Sequence, residues 1–188
     1  MKATVQALDE LVVQTPGMGF TNITQRLNDW VALTPVSTGI LNLYAKHTSC
    51  SLTINENADP RVLDDLADWM ADIVPESRRY SHADEGSDDM PAHIRTALTA
   101  QTLSLSVDAG QLVLGTWQAV YLWEHRRRPH QRRVFCHLLG EPAALETTSK
   151  ALNQQIQARH DPEAWAADGG IETEVDCMVD QLHDLAQT

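Results

Sequence analysis

The sequence predicts an α+β fold, and three observations carry the prediction. Residues 102–107, Thr-Leu-Ser-Leu-Ser-Val, alternate with strict period two, as a half-buried strand does. Further apolar, strand-like runs succeed one another up to residue 139. Two earlier segments instead carry apolar residues at helical spacing behind an aspartate followed at once or closely by proline, at Asp59-Pro60 and Asp89-Met-Pro91.

Taken in order, residues 3–14 read as an opening strand rich in Val and Leu, ended by Thr15-Pro16-Gly17. Asn22 is placed to cap a short helix whose apolar positions are Ile23, Leu27, Trp30 and Val31, and Pro35 stops it. A second strand follows at 39–45. Asp59 caps a helix that Pro60 opens, with Val62, Leu63, Leu66, Trp69, Met70 and Ile73 marking one buried face and acidic residues the other. Asp89 and Pro91 open a helix through Ile94 and Leu98. The strand at 102–107, the turn Asp108-Ala-Gly110 and the run 111–117 read as a β-hairpin. Residues 117–124 and 132–139 read as a further pair of strands joined by an Arg-rich loop. After Gly140-Glu-Pro142 the composition shifts to Ala, Gln, Glu and Leu. Two amphipathic helices are expected there, interrupted at Asp161-Pro162 and Gly169-Gly170. The predicted division is a domain over 1–141 and a helical extension over 142–188.

A chain of 188 residues can bury a sizeable core without metal or disulfide staples. Its formal charge of −12 argues against nucleic acid or an anionic membrane as partner, since both are normally met by a basic face. The exception is local: Arg126, Arg127, Arg128, Arg132 and Arg133 place five guanidinium groups in eight residues, read either as a solvated loop or as phosphate capture. Cys50, Cys136 and Cys177 are widely spaced and form no CxxC pair, which indicates neither a disulfide framework nor a thiolate zinc site and fits a reducing cytoplasm. No secretory leader or membrane-length apolar run is read.

Three polar clusters interrupt this pattern: His47 to Asp59, His82 to His93, and Gly115-Thr-Trp-Gln118. Their separation in sequence predicts residues gathered by folding into a single site. Imidazole nitrogens and carboxylate oxygens are ordinary ligands of transition metals, and Asp89 and His93, at i and i+4, share one side of a helix. His47 and His82 could complete that shell; alternatively, these histidines hydrogen-bond loops around a polar interface. Glu56 is a candidate general base. Cys50 is read as a small filler rather than a nucleophile, and Ser49 as a donor to a ligand. Asn55, Thr116 and Gln118 offer amide and hydroxyl groups to a ligand, Arg126 a guanidinium, and Trp117 either a flat ligand surface or core filling.

The motifs His47-Thr-Ser, Thr53-Ile-Asn-Glu-Asn-Ala-Asp-Pro60, His82, Glu85-Gly, Asp88-Asp-Met-Pro-Ala-His-Ile94 and Leu114-Gly-Thr-Trp-Gln118 resemble the YjbQ family, over roughly residues 1–141. The resemblance implies a β-sandwich of mixed or antiparallel sheets with flanking helices, a homotrimer with sites near subunit contacts, and an activity of thiamine-phosphate synthase type. In that transferase reaction a pyrimidine diphosphate loses pyrophosphate as a thiazole phosphate nitrogen attacks. His47, His82, His93 and Glu56 would then be catalytic, and His47, His82, Asp89 and His93 would hold a divalent metal, zinc or magnesium, beside a small phosphorylated molecule. A non-catalytic module binding a metal or anionic metabolite, with a protein partner on the C-terminal helices, and a metal-dependent hydrolase are the alternatives. The chain departs from the family in His125-Arg-Arg-Arg-Pro-His130 after Glu124, and in the extension beyond Glu141.

Overall fold

The computed structural model describes residues 3–143, within the first of the two units (residues 1–143 and 144–188) into which the chain divides. The two amphipathic helices expected after Pro142 lie outside the described residues. In chain order the elements are β1 (Val5–Thr15), β2 (Gly19–Asn22), α1 (Thr24–Ala32), β3 (Val36–Ala45), β4 (Cys50–Glu56), α2 (Pro60–Ile73), α3 (Asp89–Leu98), β5 (Thr102–Asp108), β6 (Gln111–Leu112), β7 (Gln118–Glu124) and β8 (His130–Pro142). The fold is α+β as expected, and its strands form two antiparallel sheets, ordered β1-β8-β3-β5-β6 and β2-β7-β4.

The sheets share one apolar core because alternate residues of each point inward. Leu41, Leu43 and Ala45 of β3 and Val134, Cys136 and Leu138 of β8 meet Leu52 of β4 and Val120 and Leu122 of β7, while Ile23, Leu27 and Val31 of the α1 region close one end. The other face of β7 is covered too. Trp123 packs with Met70 and Val74 at the end of α2, Phe20 of β2 and Ile94 of α3, so the smaller sheet lies between the larger sheet and two helices. That double coverage explains why β7 reads as a continuous apolar run.

Only the start of α2 follows its sequence signal fully; α1 has Ile23 at its cap position and α3 has Asp88, one residue before the expected Asp89, neither of them making a side-chain cap bond. Asn22 accepts the Thr24 N–H at 2.9 Å, and Asp59 accepts the Arg61 N–H at 3.0 Å ahead of Pro60. Other expectations need correction. Cys50–Glu56, read as a polar cluster, is a strand, with Cys50, Ser51 and Leu52 all buried at its start. The 111–117 arm of the hairpin shrinks to two residues, because Gln118 turns the chain: its Oε1 accepts the Gly115 N–H at 2.8 Å, and its own N–H reaches the Gly115 carbonyl at 2.9 Å. Residues 117–124 and 132–139 do not pair; they lie in different sheets. Arg132 and Arg133 belong to β8 and not to the loop before it. The apolar stripe of α2 is wider than the surface the chain offers it: Met70 is buried, but Trp69 and Ile73 are 58% and 46% exposed.

One close approach is decisive in the larger sheet. Gly39 and Gly140 face each other across β3 and β8, next to an irregularity at Val36/Thr38. A Cβ on Gly140 would stand 2.2 Å from the Thr38 carbonyl oxygen and 2.6 Å from the Gly39 Cα. Backbone cannot yield as a side-chain tip can. Gly140→Ala is therefore expected to lower unfolding free energy by about 1–3 kcal/mol or more, read from urea midpoints, whereas Gly110→Ala, where the added Cβ meets nothing within 4 Å, should show only the smaller cost of its left-handed backbone.

Candidate functional site

Asp89 heads α3 and is 2% exposed. One turn on, His93 turns its ring toward the same carboxylate, and the loop between α2 and α3 brings His82 in from the other side. His82 Nε2 stands 2.8 Å and His93 Nε2 3.5 Å from the same oxygen, Asp89 Oδ2. Despite that proximity, Oδ2 has no aligned hydrogen-bond donor among the described residues. The other oxygen, Oδ1, is taken by Arg126, whose guanidinium also reaches Asp88 Oδ2 at 3.1 Å and the Glu85 carbonyl at 3.0 Å. His93 Nδ1 lies 2.8 Å from the Thr48 carbonyl oxygen. A carbonyl only accepts, so Nδ1 carries a proton, and Nε2 is the ring nitrogen turned toward Asp89. The three ligand atoms lie within 4.8 Å of one another, and the group could hold a metal ion.

A second polar network sits behind this group, between the two sheets. Glu124 of β7 is fully buried and pairs with Arg132 of β8, Nε to Oε2 at 2.6 Å and Nη2 to Oε1. Thr15 Oγ1 donates to Oε2 at 2.8 Å, and the Arg126 N–H to Oε1 at 3.0 Å. Burial pushes the Glu124 carboxyl up, but the hydrogen bonds and charge of Arg132 and the Arg126 amide outweigh it and hold the group ionised. Arg132 also donates to Ser49 Oγ at 3.0 Å. Beside it, His125 is fully buried with Nε2 2.9 Å from Ser51 Oγ and Nδ1 without a partner among the described residues. Burial first, and then the Arg95 charge, push its pKa down to about 3, so the ring is neutral.

The expected site residues therefore fall in three places. His82, Asp89 and His93 come together, and Arg126 supports them. His47 does not join that group: its Nε2 accepts the Arg133 N–H of β8 at 2.8 Å, which occupies the lone pair a metal would need. Burial, then the Arg132 charge, lower its pKa. Ser49 is buried against Arg132. Asn55, Glu56 and Gln118 line an open concavity of about 460 Å³ with Ile54, Ala58 and Trp117, at the opposite end of β4. Cys50 pairs with Glu124 and Glu56 with Gln118, six residue steps or about 20 Å apart along β4. The third cluster is thus not gathered with the second. Trp117 is 65% exposed and does not fill the core, and Thr116 is exposed beside it. Burial raises the Cys50 pKa to about 11, in keeping with an inert filler.

The Arg-rich stretch is an exposed loop at residues 127–129, but four of its five arginines are paired with acids and form no free anion trap. Arg126 meets Asp88 and Asp89, Arg127 meets Glu76, Arg132 meets Glu124, and Arg133 meets Glu10. Sequence reading missed Glu124, His125 and Arg132 as a buried unit. The available signal was parity, since Arg132 shares the inward face of β8 with Val134, Cys136 and Leu138.

A profile of the family described as UPF0047 protein YjbQ-like matches residues 9–141. The UPF0047 protein of a Synechocystis species is 52% identical over 132 residues, covering 70% of this chain and 90% of that protein. A conserved hypothetical protein of Thermus thermophilus is 37% identical with a TM-score of 0.62, over 69% of this chain and 98% of that one. A YjbQ/UPF0047 protein of Clostridium acetobutylicum is 32% identical with a TM-score of 0.63, over the same shares.

Two measurements probe the buried network. Arg132→Ala strands the Glu124 charge and should cost about 3–5 kcal/mol in urea unfolding, against less than about 1 kcal/mol for its exposed neighbour in Arg133→Ala. The unfolded chain protonates His125 near its ordinary 6.5 while the folded chain does so only near 3, so stability falls as pH falls below 6.5. Between pH 6.5 and about 5, above the carboxylate range, the urea midpoint should drop on acidification. His47, also lowered, adds to the slope with the same sign, and His125→Gln should reduce the slope without abolishing it.

Proposed function

The chain belongs to the UPF0047 protein YjbQ-like family, and from the geometry of its polar groups we propose that His82, Asp89 and His93 form a divalent-cation site at which a phosphorylated small molecule is turned over. The observation that carries this reading is Asp89 Oδ2: a carboxylate oxygen on a residue 2% exposed, without an aligned donor among the described residues, flanked by two imidazole nitrogens. Leaving such an oxygen uncompensated costs of the order of 1–3 kcal/mol, and a cation removes the cost.

The donor set favours zinc or a similar transition metal over magnesium, which takes oxygen ligands almost alone. The outer contacts support it: the Thr48 carbonyl fixes the His93 tautomer, and Arg126 holds the second oxygen of Asp89. Three protein ligands leave coordination positions open to water or substrate, the pattern of catalytic sites, which favours an enzyme over a storage module. A bound cation would supply Lewis-acid charge to a phosphate oxygen. Within this reading the reaction is a transfer of thiamine-phosphate type, as the family resemblance suggests. A homotrimer, which the family resemblance implies, belongs to this reading, and the apolar surface of α2, where Trp69 and Ile73 stand exposed, is available for a subunit contact.

Elemental analysis of the purified protein is expected to find about one equivalent of metal per chain, lost in Asp89→Asn and His93→Ala and kept in His47→Ala. Wild-type protein that neither retains nor takes up zinc on titration would remove the reading.

A further inference from the structure

Next to the cation group, the loop between α2 and α3 forms a concavity of about 180 Å³ in which Arg78, Arg79, Tyr80, His82 and Ser87 take part. His82 belongs to both, so the concavity and the Asp89 group share one wall residue. Its charge is unusual for this chain. Glu76, also on the wall, is neutralised by Arg127. Among the described residues the guanidinium groups of Arg78 and Arg79 have neither a carboxylate nor a carbonyl partner, in a chain of net charge −12 whose other arginines nearby are all held by acids or carbonyls except Arg128. Arg78 is moreover seated, with its guanidinium carbon 5.8 Å from the centre of the Tyr80 ring. Tyr80 is itself anchored by its hydroxyl to the Pro75 carbonyl at 3.1 Å. A guanidinium over a ring face at that distance makes a cation–π contact, which leaves its N–H donors unspent, and a guanidinium fork suits bidentate phosphate recognition.

We propose that Arg78 and Arg79 are the phosphate-capturing arm of this site, holding a terminal phosphate group of the substrate in the concavity that His82 shares with the Asp89 group. The size of the concavity decides how much of a ligand it takes. Whole-ligand pockets run from about 300 Å³ upward, so this one admits a single phosphate-sized group, with the remainder of the molecule extending over His82. The assignment moves anion recognition out of the Arg126–Arg133 stretch, where four of the five arginines are engaged by acids. It rests on the cation reading only for what the far end of the ligand meets.

The test is titration of the full-length protein with inorganic phosphate, followed by calorimetry, for wild type, R78Q/R79Q and R128Q, each with metal content measured on the same sample. Loss of two charge-assisted contacts is expected to weaken phosphate binding by roughly tenfold or more in R78Q/R79Q, with metal content unchanged and R128Q like wild type. Equal affinity in wild type and R78Q/R79Q, or no phosphate binding by wild type with or without zinc, would overturn the proposal. Protein that neither retains nor takes up zinc yet binds phosphate in an Arg78- and Arg79-dependent way would uphold the arm and remove the cation reading instead, so the two stand or fall separately.

Discussion

The ion pair of Glu124 with Arg132 is the constraint on which the site depends. It joins the central strand of the smaller sheet to a strand of the larger one inside their shared core, and it draws in Thr15 at the end of β1 and Ser49 in the β3–β4 connection. Both charges are out of water, so neither is cheap to strand, and Thr15, Ser49 and the Arg126 amide add further hydrogen bonds to the pair. Four chain segments are held in one geometry by a single carboxylate and its guanidinium.

From that pair the polar contacts run outward without a break. The backbone of Arg126 is held by Glu124, its side chain grips Asp88 and Asp89, and Asp89 faces His82 and His93. The candidate cation site is therefore built on the rim of the core and not on a free loop, although His82 comes from the connection between α2 and α3. His93 is steadied independently through Thr48, which ties the helix to the turn carrying Ser49. Rigid support of this kind is what a precise ligand geometry needs.

The same connectivity explains the separation of the polar clusters. β4 runs from the Glu124 end to the concavity lined by Asn55, Glu56 and Gln118, so two groups rich in side-chain donors and acceptors end up at opposite ends of one strand. Sequence proximity is misleading here because an extended strand covers about 3.3 Å per residue, while a helix or tight turn would have folded the motif back on itself. Arg126 and Arg132, six residues apart, meet different acids for a related reason: one sits in a loop above α3, the other on the inward face of β8.

Much of the architecture was legible in local pattern. The period-two alternation of Thr102–Asp108 and the cap at Asp59 with Pro60 behind it specify their elements through steric and hydrogen-bonding rules that act over a few residues, and the structure keeps them. The pairing of Asp89 with His93 was equally local, being one helical turn. What the pattern left open was decided by long-range packing. That Cys50–Glu56 is a strand, that β7 and β8 part into different sheets, that Arg132 is buried while Arg133 is not, and that His47 turns to a β8 amide and away from Asp89 all depend on which distant segment arrives to satisfy each polar group. Residue type determined which groups need a partner; only the tertiary structure decided which partner each one found, because burial, and with it the cost of an unmet charge, exists only once the sheets have closed.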